Sequence, residues 1–131
     1  MKWDIESPCK SCPYRKDSPL ALWDRYEFEN LLKHDADPMQ GAVFGCHATR
    51  HRPREEQGPC AGWLLDQKRR GTPSIQLRLR LMRNEEAGHC YENVSEGGLE
   101  LYETLQEMCE VNLAADDRIR AAVERKKEGR R

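Results

Sequence analysis

The sequence predicts a mainly α-helical single domain, with a small α+β arrangement as the variant. Its N-terminal half is loop-rich and organised around a four-cysteine metal site, and amphipathic helices follow. Three observations predict this. Apolar residues recur at helical spacing after residue 18 and again through residue 113. Glycine and proline crowd residues 38–62. Four cysteines, Cys9, Cys12, Cys46 and Cys60, stand inside the irregular segments rather than on the apolar stripes.

Residues 1–17 read as irregular, because Pro8 and Pro13 interrupt any pattern. Ser18 followed by Pro19 is a helix-start signal, and Leu20, Trp23, Leu31 and Leu32 then fit one face of a helix over about 19–33. The stretch "HDADP" ends it. "GAVFGCH" has the look of a short strand running into a turn. A connection this long inside a compact domain needs something to order it, and a bound metal is one such agent.

Trp63, Leu64 and Leu65 open a short helix that stops near Gly71. Thr72 and Pro73 repeat the cap-plus-proline signal. "SIQLRLRLM" alternates like a strand, but the leading proline and the arginines favour a helix. "GHCYEN" reads as a turn. Leu99, Tyr102, Leu105, Cys109 and Leu113 predict a helix over 95–113, with Asp116 or Asp117 capping a last one. The domain is expected to span 1–115, and 116–131 to be a basic helix or tail that frays.

The 131 residues suffice for one domain, and 34% of them are charged, against roughly a quarter in ordinary domains. A thin core follows, one that a metal staple would help. Net charge is −1, so overall charge selects no partner. Its distribution is uneven: residues 48–84 carry nine basic and three acidic groups, and residues 85–115 carry eight acidic and no basic ones. The opening "MKWDIES" has no apolar run of a signal peptide, and nothing approaches a membrane span. A cytoplasmic location is expected, with no membrane role. In that compartment thiols stay reduced, so six cysteines argue for metal or redox work over disulfides.

Cys9 and Cys12 form C-x2-C, and Cys46 and Cys60 follow after a long gap. A tight turn points the first two sulfurs at one ion, and four thiolates complete a zinc shell or hold a [4Fe–4S] cluster. His47 beside Cys46 offers a replacement ligand or a hydrogen bond to the set, which favours zinc. The wide second pair and the Cys12-Pro13 step favour iron–sulfur. The ligand order is similar to that of cluster-containing uracil-DNA glycosylases, whose other motifs are missing here. Zinc and cluster both stay open. Cys109 lies on an apolar stripe and reads as core, and Cys90 reads as a turn residue.

Arg15 stands where it can hydrogen-bond a thiolate-rich site or pair with Asp17. Arg50, Arg52 and Arg54 lie between two candidate ligands, and Lys68, Arg69 and Arg70 follow; these six are the candidate nucleic-acid contacts. No helix-turn-helix, finger or single-strand-binding signature accompanies them. No H-E-x-x-H and no glycine-rich phosphate loop is present, and four cysteines leave zinc no open position. The expected function is a non-enzymatic metal-binding module, an accessory factor for nucleic acid or a protein. An iron–sulfur redox sensor or electron carrier, and a metal- or cysteine-dependent enzyme, are the alternatives. Oligomeric state is not legible.

"PCKSCPYRKDSPLALW", then "FGCH", "CAGW" and a proline-led segment ending "LRLRLM" together resemble an uncharacterised family of small actinobacterial and phage proteins, a domain of unknown function. The resemblance covers about residues 7–85. It marks Cys9, Cys12, Arg15, Trp23, Cys46, His47, Cys60, Gly62 and Trp63, implies no established activity, and implies a phage or bacterial accessory factor, in the host cytoplasm if phage-encoded.

Overall fold

A computed structural model describes residues 1–37 and 43–130. Five helices carry the fold: α1 (Arg25–Ala36), α2 (Ala61–Arg70), α3 (Ile75–Arg83), α4 (Glu85–Asn93) and α5 (Leu105–Gly129). Among the described residues there is no strand, only two isolated antiparallel bridges, Arg15 with Leu101 and Gly45 with Pro59. The mainly helical expectation is met. The suggested strand at "GAVFGCH" begins outside the described residues, and its described part contributes only the bridge at Gly45.

The first helix starts later than Ser18-Pro19 suggests. Ser18 is buried and donates its hydroxyl to the Lys10 carbonyl at 3.3 Å, so it caps nothing. Ala21 takes a left-handed conformation, φ 55°, which no helix accommodates. Its N–H donates to Asn112 Oδ1 on α5 at 3.0 Å. The chain therefore runs along α5 before α1 begins at Arg25.

α2 and α3 fall where the apolar runs placed them. α2 ends at Gly71, whose φ of 74° is the left-handed stop that glycine takes without strain. Lys68, Arg69 and Arg70 in its last turn complement the helix dipole. α3 is capped by Ser74, whose hydroxyl accepts from Leu77 N, rather than by Thr72.

"GHCYEN" is helix, not turn. Asn84 caps α4 by accepting from Glu86 N and Ala87 N, and Ala87 and Cys90 are buried. Those contacts overcome the weak propensity of Gly88 and its neighbours. The expected helix over 95–113 begins only at Leu105. Gly97 and Gly98 both have left-handed φ, 64° and 73°. Residues 100–102 then pair with the N-terminal segment: Lys16 N donates to Glu100 O, and Tyr102 N to Tyr14 O, both at 3.0 Å. α5 runs unbroken through Asp116, which pairs with Arg25 instead of capping a further helix.

α1 packs on α5, and α3 on α4. Phe28, Leu64, Leu77, Leu105 and Met108 fill the centre. Cys109 is wholly buried among them, as its apolar stripe predicts, and burial pushes its thiol up to about 12. The N-terminal segment is threaded through the domain, with Trp3 buried, Lys2 N bonded to Gln57 O, and Glu6 O accepting from Ser95 N. No helix among the described residues is long and apolar enough to cross a membrane.

Candidate metal centre

The first two cysteines sit in a tight turn. Cys12 N donates to Cys9 O at 3.0 Å, and Arg15 N to Cys12 O at 3.1 Å. Cys46 and Cys60 are brought side by side by the bridge at Gly45 and Pro59: Cys46 N donates to Gly58 O and Cys60 N to Phe44 O, both at 2.8 Å. Cys46 then enters the 3-10 turn His47–Thr49, and Cys60 immediately precedes α2. Thr49 locks this ribbon. Its hydroxyl donates to Cys46 O at 3.1 Å and accepts from Gly58 N at 3.0 Å.

The two halves meet through sulfur. Cys9 lies beside Cys46 and Cys12 beside Cys60, each close enough to shift the other's thiol. The contact with Cys46 is the main reason the Cys9 thiol falls to about 5, and burial opposes it. The contact with Cys60 lowers Cys12 in the same way, again against burial. Each partner, Cys46 and Cys60, is raised by that same contact first and by burial second. Backbone N–H groups cradle all four: Ser11 at Cys9, Tyr14 and Gly62 at Cys12, Ala48 and Thr49 at Cys46, and Trp63 at Cys60. Amide donors of this kind stabilise the thiolate form, which is the form that ligates a metal.

Gly62 is required where α2 begins. A Cβ there would come within 2.6 Å of the Tyr14 ring, so only glycine lets that ring lie on the helix. Tyr14, Trp63, Cys12, Cys46 and Cys60 are buried, and Cys9 is half-buried. The donor set, four paired and amide-cradled thiols, fits a thiolate-ligated group. Among the described residues no group of three or more His, Cys, Asp or Glu is placed to hold one metal ion, and the sulfurs associate two by two.

Arg15 makes a two-pronged pair with Asp17, both contacts at 2.7 Å, and reaches Cys9 O at 3.3 Å. Its charge lies within electrostatic reach of Cys9 and Cys12. His47 stacks on Trp23 with ring centroids 3.3 Å apart, and its Nε2 pairs with the Glu27 carboxylate. Glu27 also takes Arg50 at 2.5 Å. Burial opposes ionisation of Glu27, but the bonds from His47 and Arg50 outweigh it and hold the carboxyl below its usual value. Thr49, Glu27 and Gly58 support the site, and no sequence motif singled them out.

The six cations separate into two groups. Arg50, Arg52 and Arg54 are exposed on the loop between Cys46 and Cys60, which Gln57 holds by donating to the Arg50 and Arg52 carbonyls. Arg50 is paired with Glu27, and the other three are tied down as well. Lys68 donates to Glu92 O, Arg69 pairs with Glu96 at 2.5 Å and donates to Tyr102 O, and Arg70 bridges Asp35 and Asp66 at 2.6 and 2.7 Å. Cys90 lies apart from the four sulfurs, and its thiol donates to Ile5 O at 3.5 Å.

The sequence model of one family matches residues 4–125. The chain belongs to a family of unknown function, DUF6283. The match extends well past the stretch of resemblance at 7–85, so the DUF6283 domain takes in α4 and most of α5 as well as the cysteine ribbon. No curated protein and no solved structure matches the chain.

Proposed function

We propose that the chain is a metal-stapled, non-enzymatic module in which Cys9, Cys12, Cys46 and Cys60 together ligate one zinc ion or one [4Fe–4S] cluster. One observation supports the reading: three separate segments bring the four cysteines into two neighbouring pairs, with backbone N–H groups that favour the thiolate at each. Buried structural cysteines need no such donors, since a neutral thiol packs as a small hydrophobe. The cation of Arg15 offsets part of the negative charge that four thiolates leave on the group. Binding would draw the two cysteine pairs together and release thiol protons, so it is part of the folding free energy. A reducing cytoplasm, the location this reading takes, keeps the thiols available.

The module's output is binding, to nucleic acid or a protein, through the loop that carries Arg50, Arg52 and Arg54. That loop is anchored at both ends by ligands, so the metal presents its cations on a fixed frame. Four protein ligands leave no position for a substrate, which argues against hydrolytic metal catalysis.

The test is metal analysis with an absorption spectrum on protein purified without oxygen. One zinc per chain and a colourless solution assigns a structural site. About four irons per chain with broad visible absorption shifts the role to redox sensing or electron transfer. Folded protein that carries neither metal overturns the reading.

A further inference from the structure

The turn between α2 and α3 borders a cleft of about 310 Å³. That is the lower end of the range for small-molecule sites, which begins at about 300 Å³. One wall is aromatic: the Phe44 and Trp63 rings meet edge to face, with centroids 5.6 Å apart and planes at 63°. Exposed Ile75, at the start of α3, adds an apolar side.

The polar groups that the fold leaves unused here are donors. Gln67 lines the cleft from α2 and is only 3% exposed. Its Oε1 accepts from Ser74 N at 2.8 Å, which fixes the amide, and its Nε2 has no partner among the described residues. A buried amide that spends its oxygen on the fold in this way needs an acceptor for its nitrogen. The Ser74 hydroxyl already accepts from Leu77 N, so its own proton is free to be donated. Ser74 is also the cap of α3, so the positive end of that helix borders the cleft. Arg78 is held by its Nε on the Pro73 carbonyl at 2.8 Å, and no acid among the described residues pairs with its other guanidinium nitrogens. The acids on the opposite side are engaged: Asp35 by Arg70 at 2.6 Å, and Asp37 by a partner of its own.

We propose that this cleft binds a small aromatic carboxylic acid, with its carboxylate among Gln67 Nε2, the Ser74 hydroxyl and the Arg78 guanidinium, and its ring against Phe44 and Trp63. The donor set selects an oxyanion, and one unpaired cation matches one negative charge. A phosphate monoester would bring a second negative charge toward Asp35 and Asp37, with no further unpaired cation in the cleft to offset it. An aliphatic acid would leave the aromatic wall without the flat partner that ring edges and faces favour. None of the three donors is a candidate metal ligand, so binding here is independent of what the four sulfurs hold.

Titration of phenylacetate into the purified chain, followed by amide-correlation NMR, reads this directly. The expected result is a saturable shift of the Gln67 side-chain amide and the Trp63 indole N–H, while the indoles of Trp3 and Trp23 stay in place. Benzyl alcohol keeps the ring without the charge, and acetate keeps the charge without the ring; each binds more weakly by about ten-fold or more. Phenyl phosphate binds no tighter than phenylacetate. Arg78→Gln acts at an exposed position, leaves the rest of the spectrum native and weakens phenylacetate by about ten-fold. Gln67→Glu keeps an acceptor for Ser74 N, puts an acid where the donor was, and abolishes binding with helical circular dichroism unchanged. Absence of a saturable shift, equal binding of phenylacetate and benzyl alcohol, tighter binding of phenyl phosphate, or an Arg78→Gln variant that binds as wild type does overturns the proposal.

Discussion

Asn112, buried on α5, accepts the N–H of Ala21 at 3.0 Å across 91 residues of chain, while its own amide donates to Met108 O at 2.8 Å. This contact holds the 18–24 segment against the helix and leaves Ala21 at positive φ. Replacing Asn112 by alanine strands a partly buried donor and costs about 1–3 kcal/mol in urea unfolding. Ala21→Gly removes the left-handed penalty and gains up to about 1 kcal/mol, offset in part by the freer unfolded chain. An Asn112→Ala variant of unchanged stability would show that the bond is not what fixes the segment.

The Tyr14 ring on Gly62 predicts a contrast between two glycines. Gly62→Ala pushes a Cβ to within 2.6 Å of the ring and costs about 1–3 kcal/mol by overpacking. It also moves the Gly62 N–H away from the Cys12 sulfur, so metal is held less tightly. Gly88, in the middle of α4, meets nothing within 4 Å, and Gly88→Ala stabilises by about 0.5–1 kcal/mol through helix propensity. Thermal melts with parallel chelator titrations of both variants check this. Equal effects would contradict the geometry.

Cys12 and Cys109 are both buried thiols, yet they should respond differently to serine. On the proposed ligand set Cys12→Ser removes a ligand, so the purified variant is expected to lose its metal and melt without a sharp transition. Cys109→Ser keeps full metal content and loses about 1–3 kcal/mol for burying a hydroxyl among apolar side chains. Metal-to-protein ratios of the two variants, measured side by side, decide it. Normal metal in Cys12→Ser would remove it from the ligand set.

Asp66 supplies the pH dependence. Burial raises its carboxyl above the ordinary value of 3.8, and the nearby Arg70 only partly offsets this. A carboxyl raised in the folded state favours folding when protonated. Its contribution is fully present below the unfolded value and is lost as pH rises through the folded one. Asp66→Asn keeps an acceptor for the Leu105 N–H, now met at 3.1 Å, and removes the titration. The stability difference, Asn variant minus wild type, should therefore grow in favour of asparagine as pH rises across that window and level off above it. Thiolate protonation affects both chains alike and cancels in the difference. Urea midpoints that keep a constant separation across the window would show that Arg70 fully neutralises the buried charge.

What the sequence alone determined follows from local chemistry. Trp63-Leu64-Leu65 with Gly71, and the Pro73-led run to Met82, specify α2 and α3, because propensity, apolar spacing and end signals agree there. The candidate ligands were legible because a C-x2-C and two cysteines in glycine-rich turns form a pattern without any fold. Tertiary contacts decided the rest. α1 starts at Arg25 because Asn112 claims Ala21, and α5 starts at Leu105 because Gly97 and Gly98 turn the chain so that 100–102 can pair with the first knuckle. The pairing of Cys9 with Cys46 and of Cys12 with Cys60 belongs to this second class. Spacing names four sulfurs, but which sulfur meets which depends on how the Gly45–Pro59 bridge lies against the N-terminal turn. That placement is set by burial of Trp3, Tyr14 and Trp63 in a shared core, a long-range effect that no local pattern encodes.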